Sequence, residues 1–175
     1  HSSNGRILKY DPASGETTVF ADGLNFANGV AVDDANSAVF VVETGNYRVW
    51  RFPMDGSAGT VVLENLPGFP DNINNAPDGT FWVGLVSPRN PVMDQLANSP
   101  FLRRVIMRLP DAMKPAPLRY GFVLRMDASG KVLETLQDPA GDYALTTGAV
   151  TLPDGRIAVT SLTEPRLGML DAAPS

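Results

Sequence analysis

The sequence predicts an all-β chain built from repeated four-stranded units, the arrangement of a β-propeller. Two observations carry that expectation. First, short runs rich in Val, Ile, Leu, Phe and Thr alternate with Gly, Pro, Asp and Asn turns along most of the 175 residues. Second, three stretches align as a repeat. Asn28-Gly29-Val30-Ala31-Val32 leads through Asp34-Ala35-Asn36 to Val39-Phe40-Val41-Val42. Asp71-Asn72-Ile73 leads through Pro77-Asp78-Gly79 to Phe81-Trp82-Val83-Gly84, and Thr147-Gly148-Ala149-Val150 through Pro153-Asp154-Gly155 to Ile157-Ala158-Val159-Thr160. The first two starts lie 43 residues apart. Removing an insertion of about 33 residues restores that spacing for the third. A period of about 40–45 residues with four short strands per unit marks propeller blades. A β-sandwich also turns about every 8–12 residues but gives no reason for the phasing.

Taken in order, the expected strands are 6–10, 17–21, 29–33, 38–43, 48–53 and 60–63. A second group follows at 72–75, 80–86, 122–127 and 132–136, and a third at 148–151, 156–162 and 167–170. Asp78, Asp127 and Asp154 fall in turns of the Asp-Gly kind and are expected to be structural. Phe81 and Trp82 sit side by side on one strand, so at least one belongs to the core.

At about 43 residues per blade the chain supplies three to four blades, whereas propellers close at roughly 4–8. An open one leaves strand edges exposed. Residues 1–175 are therefore expected to be a partial propeller domain, part of a longer polypeptide. That the chain begins with His1 agrees with a natural start elsewhere.

The insertion, at about 90–109, carries a helical pattern. Val92, Met93 and Leu96 fall on one face, as do Phe101, Leu102, Val105, Ile106 and Leu109. Ser99 and Pro100 read as N-cap and first helical residue. This helix is either a cap packed on the propeller rim or an apolar lid over the central mouth.

Composition excludes several classes. Apolar residues make up 43% and charged residues 19%, ordinary for a globular chain, and the net charge is −5. A phosphate-binding face needs clustered Lys and Arg, and Arg103, Arg104 and Arg108 form the only local basic cluster, so no nucleic-acid partner is expected. With no cysteine there are no disulfides, thiolate metal sites or cysteine nucleophiles. No apolar run approaches the roughly 20 residues of a transmembrane helix. His1 is the single histidine, so no Ser-His-Asp triad can be assembled. Nothing in the sequence assigns a cellular location.

The candidate site residues are Asn28, Asp71 and Asn72. Each precedes an alternating apolar run, where the inner strand of a unit would begin. If the units are arranged radially, these starts converge on one axis, as ligands for a hard cation or as a polar catalytic floor. Taken singly, Asn-Gly is also a common hairpin turn and Pro-Asp-Asn can be an Asx-turn. Glu43 ends a strand, near the site or paired with Arg48. Ser87 and Arg89 lie between a strand end and the insertion, in a loop or within reach of substrate.

Several segments together carry a resemblance. They are Gly5-Arg6-Ile7-Leu8-Lys9-Tyr10-Asp11-Pro12, Phe26-Ala27-Asn28-Gly29-Val30-Ala31, and Glu43-Thr44 followed by Tyr47-Arg48-Val49. The run continues as Glu64-Asn65-Leu66-Pro67-Gly68-Phe69-Pro70-Asp71-Asn72-Ile73, then Pro77 through Arg89, and finally Gly155 to Leu170. The chain resembles the strictosidine synthase-like family over nearly its whole length, with paraoxonases and gluconolactonases as more distant relatives. The Leu-Pro-Gly-Phe-Pro-Asp-Asn-Ile run is its most specific part. The resemblance implies a six-bladed propeller, of which this chain is the C-terminal half.

It also implies an arylesterase-like or lactonase-like hydrolase acting on a small ester or lactone. Asn28, Asp71 and Asn72 match positions that hold a central Ca²⁺ in the calcium-dependent relatives. Carboxylate and amide oxygens suit that ion, which can polarise a carbonyl for attack by water or hydroxide. Asp71 is the one candidate for a catalytic base. The remaining ligands of those relatives belong to earlier blades, so the isolated chain is expected to be inactive. Strictosidine synthases proper use a glutamate in the last blade, and Ala144-Leu145-Thr146-Thr147-Gly148-Ala149-Val150 contains none, which argues against Pictet–Spengler condensation. The alternative is a non-catalytic propeller that binds a small molecule or protein at the same mouth.

Overall fold

A computed structural model of the chain describes residues 3–89, 108 and 118–171. The first hairpin pairs β1 (Gly5–Asp11) with β2 (Glu16–Leu24). Its turn is shaped by Asp11, whose carboxylate accepts the Ala13 N–H at 2.9 Å. A four-stranded antiparallel sheet follows in chain order: β3 (Ala27–Asp33), β4 (Ala38–Glu43), β5 (Arg48–Pro53) and β6 (Thr60–Leu63). Asp33 caps the short 3₁₀ turn between β3 and β4, accepting from the Asn36 backbone at 3.2 Å and its Nδ2 at 2.8 Å.

The second four-stranded sheet contains β7 (Gly68–Asn75), β8 (Phe81–Pro88), β9 (Gly121–Met126) and β10 (Val132–Asp138). A third sheet has three strands, β11 (Thr146–Thr151), β12 (Ile157–Ser161) and β13 (Gly168–Leu170). The described residues thus form two four-stranded blades, three strands of another and two of a fourth, within the expected three to four. Every strand read from the sequence is present, and 38–43, 48–53 and 60–63 keep the same bounds.

The insertion falls between β8 and β9, inside the second blade. The helix expected at about 90–109, with its Ser99-Pro100 cap, lies outside the described residues apart from Arg108, which is exposed. Arg103, Arg104 and His1 also lie outside them. The predicted turn aspartates are turn residues. Asp78 accepts from Thr80, Asp127 from Ser129 and Lys131, and Asp154 from Arg156. Their carboxyls are held below the ordinary aspartate value by those donated hydrogen bonds.

The core lies between sheets, not within them. Phe40 and Val42 of the first blade meet Ile73, Phe81, Val83 and Met126 of the second, with the Phe40 and Phe81 rings 4.5 Å apart. On the other face of β8, Trp82 joins Val123 and packs against Ala149 and Val159 of the third sheet. Both Phe81 and Trp82 are core because β8 is covered on both faces. Burying each such side chain contributes about 1.5–3 kcal/mol.

Two glycines permit this approach. A Cβ on Gly84 would lie 2.2 Å from the Thr147 carbonyl carbon, and one on Gly29 would lie 2.6 Å from Asn72 Cα. The inner strands β3, β7 and β11 consequently stand side by side, with β7 in the middle.

Candidate functional site

All three inner strands carry a bulge at the start of the repeat. In β3, Ala27 opposes Glu43 and Val30 opposes Val41, so an extra residue is accommodated at Asn28-Gly29. In β7, Pro70 opposes Leu85 and Ile73 opposes Val83, placing the extra residue at Asp71-Asn72. In β11, Thr146 opposes Ser161 and Gly148 opposes Thr160, leaving Thr147 unpaired. A bulge bends the strand and re-aims side chains, and bulges gather beside functional sites. Phe26 and Leu145, two residues before Asn28 and Thr147, adopt left-handed backbone at φ 58° and 54°. That conformation is costly for residues other than glycine.

Asn28 and Asp71 meet across the first two blades. The Asn28 Nδ2 donates to Asp71 Oδ1 and, at 3.3 Å, to the hydroxyl of Thr44. That hydroxyl in turn donates to the Pro70 carbonyl at 2.5 Å. Asp71 is half-buried, and burial raises its carboxyl above the ordinary value, only partly offset by the Asn28 hydrogen bond. Its Oδ2 has no hydrogen bond among the described residues, and no cationic side chain pairs with it there.

Asn72 is turned the other way, toward the third sheet. A Cβ on Gly148 would lie 3.3 Å from Asn72 Cβ and 2.9 Å from Asn74 Nδ2. Asn72 is exposed, and its side-chain amide makes no hydrogen bond among the described residues. The structure therefore brings Asn28 and Asp71 together and sets Asn72 between them and β11.

Glu43 is a structural anchor. It is fully buried, with 0% of its surface exposed. Its carboxylate accepts from the Asn25 backbone and Asn46 Nδ2, each at 2.7 Å, from Trp50 Nε1 at 2.6 Å, and from Arg48 Nε. Burial opposes its ionisation, but Arg48, Asn25 and Trp50 outweigh it and hold the carboxyl below the ordinary glutamate value. Of the two sequence readings for Glu43, the Arg48 pairing is the one seen.

Arg89 is likewise occupied: its guanidinium donates to Asn65 Oδ1 at 2.9 Å and lies 4.0 Å over the Tyr47 ring. Ser87 is buried, its hydroxyl 3.4 Å from the Pro88 carbonyl. Pro88 opposes Gly68, so the chain leaves β8 at the same end of the blade at which β7 begins, three residues before Asp71. The residues that sequence reasoning missed are Thr44, Asn74 and the Thr147–Thr160 hydroxyl pair, 2.7 Å apart. Thr44 directly follows Glu43 in the sequence, but nothing in its spacing marks it.

Among the described residues no three His, Cys, Asp or Glu side chains gather closely enough to hold a metal. The available donors are amide, carboxylate and hydroxyl oxygens. A cleft of about 520 Å³ lies elsewhere, between the second and third blades, lined by Phe122, Leu136, Tyr143, Val159 and Met169. It includes neither Asn28 nor Asp71.

Comparison with known proteins places this arrangement. Residues 1–57 match the strictosidine synthase family model. Over 95% of its length the chain is 37% identical to the adipocyte plasma membrane-associated protein of Bos taurus, covering 42% of that protein. It is 36% identical to strictosidine synthase-like protein 10 of Arabidopsis thaliana, covering 47%. The chain is similar to the strictosidine synthase-like family over nearly its whole length.

The chain spans less than half the length of those curated relatives. Among solved structures it is similar to regucalcin, a calcium-binding protein from Agrobacterium tumefaciens, with a TM-score of 0.61 at 18% identity over 94% of the chain and 47% of the other. It is also similar to a gluconolactonase from Xanthomonas campestris, with a TM-score of 0.60 at 21% identity over 94% and 49%. At such identities the likeness shows the fold, a β-propeller. Among the described residues no helix is long and apolar enough to cross a membrane.

Proposed function

We propose that this chain is part of a six-bladed strictosidine synthase-like hydrolase acting on an ester or lactone at a central Ca²⁺ site. One observation carries the reading: Asp71, a half-buried carboxylate without a cationic partner among the described residues, is held beside Asn28 at bulged positions of adjacent inner strands. An unpaired carboxylate in that setting is costly, and a bound cation relieves the cost. The oxygen donors of Asn28, Asp71 and Asn72 fit a hard ion that takes 6–8 oxygens. The description of regucalcin as calcium-binding and of a second neighbour as a gluconolactonase supports the same reading.

When bound, Ca²⁺ supplies a Lewis acid for a carbonyl oxygen. The chain's own residues bind and orient. Asn28 and Asp71 tie the first blade to the second, and Asn72 presents an amide toward the third. Asp71 is the carboxylate at the bulges of β3, β7 and β11 and so the candidate to accept a proton from water. A non-catalytic binding module is the second reading, favoured by Asp71 being the single carboxylate at the β3, β7 and β11 bulges among the described residues.

The test is calcium calorimetry on the full-length protein and its Asp71→Ala and Asn28→Ala variants. One-site binding lost in either variant is expected, and no binding by wild type overturns the metal reading. Stoichiometric binding without turnover of aryl esters or lactones selects the binding module.

A further inference from the structure

Thr44 is the first residue after β4 and is buried, with 7% of its surface exposed. Its backbone N–H is fixed by the Phe26 carbonyl at 3.0 Å, and Glu43 beneath it is locked by four donors. The Thr44 hydroxyl lies 2.5 Å from the Pro70 carbonyl. A carbonyl cannot donate, so the single hydroxyl proton is committed to Pro70. Toward Asn28, at 3.3 Å, the same hydroxyl can only accept. An amide oxygen facing it would meet a lone pair and be repelled, whereas the amide nitrogen is satisfied. Asp71 Oδ1 takes a hydrogen bond from the same nitrogen. The amide nitrogen thus serves both partners, and Asn28 Oδ1 has no hydrogen-bond partner among the described residues.

We propose that Thr44 is a positioning residue that fixes the Asn28 amide, its nitrogen turned to Thr44 and Asp71 and its oxygen left free as a cation ligand. The proposal rests on the cation site described above. It also assigns Thr44 a second role, joining the β3 bulge to the β7 bulge through one hydroxyl.

The test uses full-length wild type with Thr44→Val, which keeps the shape and removes the hydroxyl, and Thr44→Ser, which restores it. In metal-free protein, NMR of the Asn28 side-chain amide is expected to show slowed proton exchange and contacts to the Thr44 methyl. Slowed exchange persists in Thr44→Ser and is lost in Thr44→Val. Calcium affinity is expected to fall about tenfold or more in Thr44→Val, as outer residues of metal sites usually require, with the serine variant near wild type. Wild type that binds no Ca²⁺ removes the cation reading, while the amide spectrum still decides whether Thr44 orients Asn28. A wild-type amide exchanging as freely as an exposed asparagine overturns the proposal even if the valine variant does not fold. So does a valine variant with wild-type affinity, or a loss that serine fails to restore.

Discussion

Replacing Glu43 with Gln changes one oxygen to an amide nitrogen in a side chain that has no exposed surface. Glu43 Oε1 accepts from Asn25 and Asn46, and Oε2 from Trp50 and Arg48. A glutamine has one acceptor oxygen and can serve only one of these pairs, while its NH₂ faces the other pair donor to donor. Two hydrogen bonds to a charged acceptor are lost, at about 1.5–3 kcal/mol each. Arg48, with 29% of its side chain exposed, recovers part of that from water. The net loss is about 3–5 kcal/mol, in the range for breaking a buried ion pair. Against a total stability of about 5–15 kcal/mol this is a large fraction.

Urea unfolding followed by tryptophan fluorescence at pH 7 is the assay, repeated through the acid range. The Glu43 carboxyl is held below its ordinary value of 4.5 by its donors, against the opposing effect of burial. Its contribution is therefore present above about pH 4.5 and disappears as pH falls through the folded-state value. The gap between wild type and Glu43→Gln must narrow under acid. A gap below about 1 kcal/mol at pH 7, or one that stays constant as pH falls, would refute the assignment of Glu43 as an ionised anchor.

Two further changes probe the inner strands. Gly29→Ala puts a Cβ 2.6 Å from Asn72 Cα and Ile73 N, backbone atoms that cannot yield singly. It should cost about 1–3 kcal/mol and lower the melting temperature; an unchanged melting temperature means β3 and β7 are not in this contact. Asp71→Asn keeps an acceptor for Asn28 and removes the charge that burial disfavours. Because the folded-state Asp71 carboxyl is raised, its ionisation destabilises the metal-free fold, and the variant should be the more stable at pH 7. That advantage vanishes below the ordinary aspartate value of 3.8. Melting curves in chelator across pH check this, and a less stable variant at pH 7 contradicts it.

The strands were legible because Gly, Pro, Asp and Asn punctuate them and because the inner-strand starts recur at one spacing. That spacing has a physical counterpart. Asn28 reaches Asp71, and Asn75 Nδ2 donates to the Val32 carbonyl at 2.6 Å, both across 43 residues of chain. Equivalent positions of successive blades touch, so a repeat seen in sequence is a contact in space. Glu43 was harder to place, because a strand-terminal glutamate looks the same whether it faces solvent or is buried beneath four donors. The bulges and Thr44 had no sequence signal, since both depend on which residues oppose one another across hairpins. The full burial of Trp82 likewise needed the third sheet, which covers the second face of β8.

The three bulges each add one residue to an inner strand but do not share a chemistry. At the third, the Thr147 hydroxyl lies 2.7 Å from that of Thr160, and the Thr160 hydroxyl also reaches the Gly148 carbonyl at 3.3 Å. Both hydroxyl protons are used within that hairpin, Thr160 donating to Gly148 and Thr147 to Thr160. At the first two, Asn28 Oδ1, Asp71 Oδ2 and the Asn72 amide have no hydrogen-bond partner among the described residues. The fold therefore supplies the same opening in each blade, and the residue placed there decides whether it is closed or presented. Free oxygens are concentrated on β3 and β7, and a cation held by them would be bound from one side of the mouth. The β11 bulge offers no carboxylate or amide side chain, only the Thr147 hydroxyl, whose proton is given to Thr160.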